Sequence, residues 1–243
     1  MDIDIIQSQL RELKLHGMAE AVKGLLLTPL GNRVSLEMAV SQLIEAENSS
    51  RDEKRTQRIL KAAKLKIKAI PETIKCSADR NLVKSDVDQL LTCNYIRMGQ
   101  NVLVTGLTGC GKTYVACALG YQACLVGMKV LYLNMNHFIE DVKKEIAQGT
   151  VNQMMARLLK IDLLIIDDFG LQTMDNDTRL AMLTLLDDRY EKKSVIIASQ
   201  LPLGKWYEYI KEPTLADAIL DRLFSGAHHL DLKGESMRKR IRT

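Results

Sequence analysis

An α/β fold is predicted, a parallel sheet covered by helices on both faces and preceded by a small all-α domain. Three observations predict it. Beyond about residue 100 of the 243-residue chain, short runs of leucine and β-branched residues (101–105, 129–133, 163–166 and 194–198) alternate with helical segments. Runs that are apolar on both faces need cover on both faces, the condition of a buried parallel sheet. The first hundred residues carry almost no turn chemistry and repeat their apolar residues at helical spacing. A glycine-rich octamer stands between the first apolar run and a helical segment, residues 114–126, which is the strand-to-helix setting of a phosphate-binding loop.

From Ile5 to about Gly24, Ile6, Leu10, Leu13, Met18, Ala21 and Val22 recur near helical spacing, so one amphipathic helix is expected there. A turn is expected at Thr28-Pro29-Leu30-Gly31-Asn32. Ser35 then caps a second helix with Leu36, Ala39, Val40, Leu43, Ile44 and Ala46 on its apolar face. Its continuation is basic: residues 51–68 hold eight cations against two anions, an excess of +6 that exceeds the +4 of the whole chain. Arg51, Lys54, Arg58, Lys61 and Lys64 fall three or four apart, one stripe along a helix. With Arg55 beside it, the stripe is expected to contact the phosphates of nucleic acid. Pro71 and the polar stretch 75–81 predict a linker, which divides the chain into a helical DNA-binding and assembly domain, 1–70, and a nucleotide-binding domain, 71–243.

Composition removes other classes. The modest net charge excludes a polycation that coats nucleic acid indiscriminately. The acidic start has no apolar run behind it, and no stretch approaches the roughly 20 apolar residues of a membrane helix; a cytoplasmic protein with no membrane partner is expected. Five cysteines form no Cys-x-x-Cys pair and have no histidine at zinc spacing. Cys110, Cys117 and Cys124 recur every seven residues, which reads as core packing on one helix face. Aromatics at 5% are too few for a base-stacking platform. Trp206 and the four histidines read as packing or surface residues.

Gly106-Leu107-Thr108-Gly109-Cys110-Gly111-Lys112-Thr113 fits G-x-x-x-x-G-K-[ST] without deviation. Backbone N–H groups of such a loop surround a phosphate, and the following helix, beginning at Tyr114, adds its positive end. Lys112 reaches the β- and γ-phosphates of ATP, and the Thr113 hydroxyl ligates Mg²⁺. Residues 163–168, Leu-Leu-Ile-Ile-Asp-Asp, add a Walker B pattern 55 residues after Lys112. Asp167 is expected to hold Mg²⁺ through water and Asp168 to polarise the attacking water. Gln200 ends the last apolar run at the carboxyl edge of the sheet, within range of a γ-phosphate. Arg222, in Asp221-Arg222-Leu223, is a candidate to enter a neighbouring subunit's site, a use that requires self-association through the ATP site.

Taken together, the Walker pair, the strand ending Ala198-Ser199-Gln200-Leu201-Pro202, the Asp221-Arg222-Leu223 helix and the C-terminal 232–238 segment resemble the IstB-like AAA+ ATPases. These are helper proteins of IS21-type insertion sequences, related to DnaC helicase loaders and DnaA-type initiators. The resemblance extends to Leu15-His16-Gly17-Met18-Ala19-Glu20-Ala21 and covers nearly the whole chain. It implies an AAA+ core, with Gln200 at the sensor-1 position, Arg222 as an arginine finger supplied in trans, and Arg238 in a sensor-2-like role at the nucleotide. It further implies assembly on duplex DNA with ATP and stimulation of a cognate transposase. Residues 137–160 correspond to the initiator-type helical element, with Lys143 and Lys144 as exposed cations toward DNA. Asp168 stands where the family usually carries Glu, and Gln200 where it carries Asn; both changes fit a protein in which ATP binding matters more than rapid hydrolysis. A DnaC-like helicase loader is the alternative reading. A small-molecule kinase fits less well, because about a hundred residues precede the P-loop.

Overall fold

The computed structural model describes residues 3–29 and 34–237. It divides into two compact units, Met1–Arg58 and Ile59–Thr243. Leu30, Gly31 and Asn32 of the expected turn lie outside the described residues, as does Arg238 with the basic tail behind it.

In the first unit the single expected helix is two: α1 (Ile3–Glu12) and α2 (His16–Leu27). The break falls at Lys14, whose φ of 61° leaves the helical region. The Gln7 side chain donates to the Ala19 carbonyl at 2.7 Å, and Arg11 pairs with Glu20 at 2.8 Å. The third helix, α3 (Leu36–Ala63), begins where expected, with the Ser35 hydroxyl accepting from the Met38 N–H at 3.3 Å. Gly17 is required because a Cβ there would stand 2.2 Å from the Ala46 carbonyl oxygen. The buried Glu47 carboxylate accepts the Gly17 N–H at 2.7 Å and the Arg51 Nε–H at 2.7 Å.

The second unit starts at Ile59, ahead of the expected 70/71 boundary, for a packing reason. Ile59, Leu60, Ala63 and Leu65 join the core cluster formed by Val102, Val104, Val115, Leu119, Ile165 and Ile196. The expected linker is folded as part of this unit. It forms 3₁₀ turns at Pro71–Thr73 and Ala78–Arg80, followed by α4 (Lys84–Leu91) and α5 (Asn94–Arg97). Beyond them come β1 (Val102–Gly106), α6 (Lys112–Leu125), β2 (Val130–Asn134), α7 (Met135–Ala147), α8 (Val151–Leu159) and β3 (Leu163–Phe169). The order continues with α9 (Asn176–Arg189), β4 (Ser194–Ser199), α10 (Trp206–Ile210), α11 (Pro213–Phe224) and β5 (His228–Leu232).

Among the described residues these strands form one five-stranded parallel sheet of order β2-β3-β4-β1-β5. Successive strand side chains point to opposite faces. Val102, Val104, Leu163, Ile165, Ile196 and Ala198 therefore enter one core, while Leu103, Leu164, Ile166, Val195 and Ile197 enter another with Phe138, Met182 and Trp206. The fold class expected from the apolar runs is thus the one observed. β5 was not expected: from His229 to Leu232 it alternates polar and apolar, as suits an edge strand paired only with β1. The cysteines of α6, Cys117 and Cys124, are buried on that helix, whereas Cys110 is buried in the loop before it, so the seven-residue spacing does not describe one helix face. No helix among the described residues is long and apolar enough to cross a membrane.

Candidate nucleotide site

β1 feeds directly into the glycine-rich loop, and α6 leaves it with Gly111 as the residue before the first helical turn. Gly111 has φ 97°, a conformation that side chains rarely adopt, and a Cβ there would stand 2.8 Å from an Arg80 guanidinium nitrogen. At Gly106, φ 140°, a Cβ would lie 2.1 Å from the Leu232 carbonyl oxygen. The loop is clamped from outside its own motif: Arg80 donates to the Cys110 carbonyl at 2.7 Å, and the Met237 N–H donates to the Gly109 carbonyl at 2.9 Å. Within it, the Lys112 ammonium donates to the carbonyls of Gly106 and Leu107, each at 2.8 Å. Loop, helix start and lysine are thus arranged as a phosphate cradle requires.

The acids come from β3, and strand order explains the meeting. β4 lies between β1 and β3, so the carboxyl ends of all three strands open on one crevice. The β3–β4 register shifts between Ile166 and Phe169, and Asp168 stands at φ 60°. This irregularity turns two consecutive carboxylates toward the crevice instead of to opposite faces. Asp167 is buried; its Oδ2 accepts the Thr113 hydroxyl at 2.7 Å and the Tyr132 hydroxyl at 2.8 Å, and its Oδ1 accepts the Asp168 N–H at 2.9 Å. Burial, together with its place against Asp167, pushes the Tyr132 phenol well above its usual range, so it stays a donor. Asp168 Oδ2 accepts from the Asn134 amide at 2.7 Å and from Lys66 at 3.3 Å. Gln200 Oε1 accepts the Thr108 hydroxyl at 2.5 Å. Lys66, Ile67, Thr108, Lys112, Thr113 and Gln200 border a cavity of about 390 Å³, which Tyr114 and Asp168 also line.

The donors fit Mg²⁺, which prefers hard oxygen ligands and keeps several waters. Thr113 and Asp167 present a hydroxyl and a carboxylate already in contact, beside a loop shaped for phosphate.

Other expected residues lie elsewhere. Arg222 is on α11, where it donates to Asp187 at 3.0 Å and to Asp221 at 3.4 Å, away from this chain's own cavity. Arg51, Lys54, Arg55, Arg58 and Lys61 are exposed on α3. The helix ends at Ala63, so Lys64, at φ 51°, is not on their stripe. Residues 137–160 are the greater part of α7 and α8. Of the two cations expected on them, Lys144 is exposed, while Lys143 pairs with Asp175 at 2.9 Å and is partly neutralised.

Sequence reasoning missed Lys66, Arg80, Tyr132 and Asn134. For Asn134 a signal exists: it is the polar residue closing a buried parallel strand, in register with Asp167. Arg80 and Lys66 carry no local signal, since both contacts depend on tertiary packing.

A family model for IstB-like ATP-binding proteins matches residues 8–243. The chain belongs to that family. An insertion sequence ATP-binding protein of Sinorhizobium fredii, y4uH, is 37% identical to this IstB-like chain over 230 residues, covering 95% of it and 93% of the relative. Among solved structures, AMPPCP-bound DnaA from Aquifex aeolicus superposes with TM-score 0.59 at 21% identity, over 73% of the IstB-like chain and 54% of the DnaA chain. The chain therefore spans about half the length of that DnaA structure. The DnaC helicase loader superposes with TM-score 0.54 at 18% identity, over 68% of the chain and 97% of DnaC. At these identities the likeness is one of fold, the P-loop AAA+ core that the sheet order and the loop already describe.

Proposed function

We propose that this IstB-like ATP-binding protein is an ATP-regulated factor that assembles on duplex DNA and stimulates a cognate transposase, with Mg²⁺-dependent hydrolysis resetting the assembly. The observation that carries the reading is the 2.7 Å contact of the Thr113 hydroxyl with the Asp167 carboxylate, which joins the phosphate loop to the acidic strand. When bound, Mg²⁺ supplies charge neutralisation at the phosphates, held by Thr113 and Asp167. Backbone N–H groups of the loop and the start of α6 hold the phosphates, and Lys112 turns from its two carbonyls toward them. Asp168, oriented by Asn134, accepts the proton of the attacking water. Being a methylene shorter than Glu, it reaches less far, which favours slow turnover. Gln200, tied to Thr108, sits at the γ-phosphate end, and Arg238 adds a cation from the C-terminal segment.

Arg222, remote from its own cavity, serves a neighbouring copy, so nucleotide binding and self-association are linked. Arg51, Lys54, Arg55, Arg58 and Lys61 hold the DNA backbone through α3, with Lys143 and Lys144 as secondary contacts. The affinity for a fluorescent duplex, measured against salt with ATP, ADP or a non-hydrolysable analogue, tests this. Binding is expected to need ATP or the analogue, to fall several orders of magnitude between roughly 50 and 200 mM salt, and to vanish in Lys112→Ala. Salt-insensitive binding retained by Lys112→Ala would sink the reading. The DnaC-like loader, the second reading, rests on the fold likeness to DnaC. It predicts preference for single strands and capture of a replicative helicase instead of a transposase in a paired pull-down.

A further inference from the structure

Lys66 belongs to none of the nucleotide-binding motifs, yet among the described residues it is the cation paired with both acids of the site. Its ammonium lies 3.3 Å from Asp168 Oδ2 and 3.6 Å from Asp167 Oδ2. The second of these oxygens is the same atom that accepts the Thr113 hydroxyl, so Lys66 approaches Asp167 on its metal-binding side. Lys66 is also 44% exposed and lines the cavity with Lys112, Thr113, Thr108 and Gln200. It is therefore fixed at one end of its reach by the carboxylates and open at the other toward the place where phosphates bind. The chain holds it there firmly: Leu65 on one side packs into the core behind α6, and Ala69 on the other is buried with Cys117 and Ala118 of α6.

An ammonium and a hydrated Mg²⁺ cannot both occupy the same side of one carboxylate without repelling each other and competing for its oxygen. We propose that Lys66 is a nucleotide-binding residue that competes with Mg²⁺ for the Asp167–Asp168 pair and, released from the pair, contributes a second lysine to the triphosphate beside Lys112. The inference rests on the nucleotide site described above and adds a residue and a property to it: Lys66 sets how much Mg²⁺ the site needs. It weakens the grip on Mg²⁺ by occupying the acids, and it strengthens the grip on a metal-free triphosphate by adding positive charge.

These two effects have opposite signs, which separates them from a general loss of structure. The test is equilibrium binding of a fluorescent N-methylanthraniloyl ATP to the full chain, titrated with Mg²⁺ and repeated in EDTA, for wild type, Lys66→Ala, Lys66→Arg and Lys68→Ala. In Lys66→Ala the Mg²⁺ concentration at half-maximal effect is expected to fall roughly three- to tenfold, while affinity in EDTA weakens by a similar factor. Lys66→Arg is expected to restore the EDTA affinity. Lys68→Ala, an exposed neighbour outside the cavity, is expected to match wild type. Wild-type and Lys66→Ala curves that coincide in both conditions would overturn the proposal and leave the nucleotide site standing. Weakening by the same factor with and without Mg²⁺ would also overturn it, by showing a merely structural role. If wild type bound no nucleotide in either condition, the reading of the site itself would fall, and this inference with it.

Discussion

Residues 163–166 of β3 and residues 36–44 of α3 are both rich in large apolar side chains, and they meet opposite fates. Leu163, Leu164, Ile165 and Ile166 are fully buried, whereas Leu36 is 77% exposed and Ile44 48%. β3 has a strand on each side and helices over both faces, so every direction in which a side chain can point is occupied. α3 has α2 against it at Gly17, and that contact uses Ala46 and Glu47 rather than the row of Leu36, Val40 and Ile44. Apolar spacing identifies the element; burial is decided by how many neighbours the topology supplies.

The largest effect that tests this contrast is expected in β3. Ile165 packs against α6 at Gly120, where a Cβ would come within 2.5 Å of the isoleucine Cδ1. Ile165→Ala is expected to cost about 3–4 kcal/mol of unfolding free energy, from lost transfer energy plus the cavity left between a rigid strand and helix. Urea denaturation followed by circular dichroism checks it, and a loss below about 1 kcal/mol would break the contrast at its buried end.

Legibility follows the same division. Strands β1 to β4, the phosphate loop and the Asp167–Asp168 pair were readable because each depends on residues adjacent in sequence: an apolar run, glycines at strained angles, a strand that ends in acid. β5 was not readable, because His228, His229 and Asp231 interrupt its apolar residues, which an edge position tolerates, whereas β2 at the other edge keeps the apolar run Val130-Leu131-Tyr132-Leu133. The single helix expected over residues 5–24 failed at Lys14, where nothing but a positive φ marks the break. The residues that complete the site come from tertiary packing: in the sequence Lys66 is only one of the eight cations of residues 51–68, and Arg80 falls in a stretch that reads as a linker. Both were misplaced because charge and polarity describe a segment's composition, not what its backbone is packed against.

An intermediate effect is expected where a surface element meets the core. Asp175 caps α9, accepting the Thr178 N–H at 2.8 Å, and pairs with Lys143 of α7. Burial alone would raise its carboxyl, but the Thr178 and Lys143 contacts outweigh it and hold the group down at about 2. A carboxyl depressed on folding contributes stability above its unfolded value of 3.8, and that contribution is lost as pH falls from there toward about 2. Asp175→Ala is expected to cost about 1 kcal/mol near neutral pH. Asp175→Asn, which keeps a capping oxygen but not the charge, is expected to lose less and to flatten the acid limb of a melting-temperature profile between pH 2 and 4, in line with the depressed carboxyl. A variant profile parallel to wild type would remove Asp175 from the acid response.

The smallest effect is expected at the exposed end of the contrast, and it is the most discriminating. Ile44 replaced by glutamine keeps helix propensity and side-chain length while removing the apolar surface. If water already covers the residue, unfolding free energy should change by no more than about 0.5 kcal/mol, a small fraction of the loss at Ile165. A loss above about 2 kcal/mol would require that the Leu36, Val40 and Ile44 row be covered in solution, since only burial gives an isoleucine that much transfer energy. Concentration dependence then separates the causes. A penalty that grows as the protein is concentrated places a second copy on the row, and one that does not places cover within the chain itself. Either result would show that α3 and β3 differ in when their apolar faces become covered rather than in whether they do.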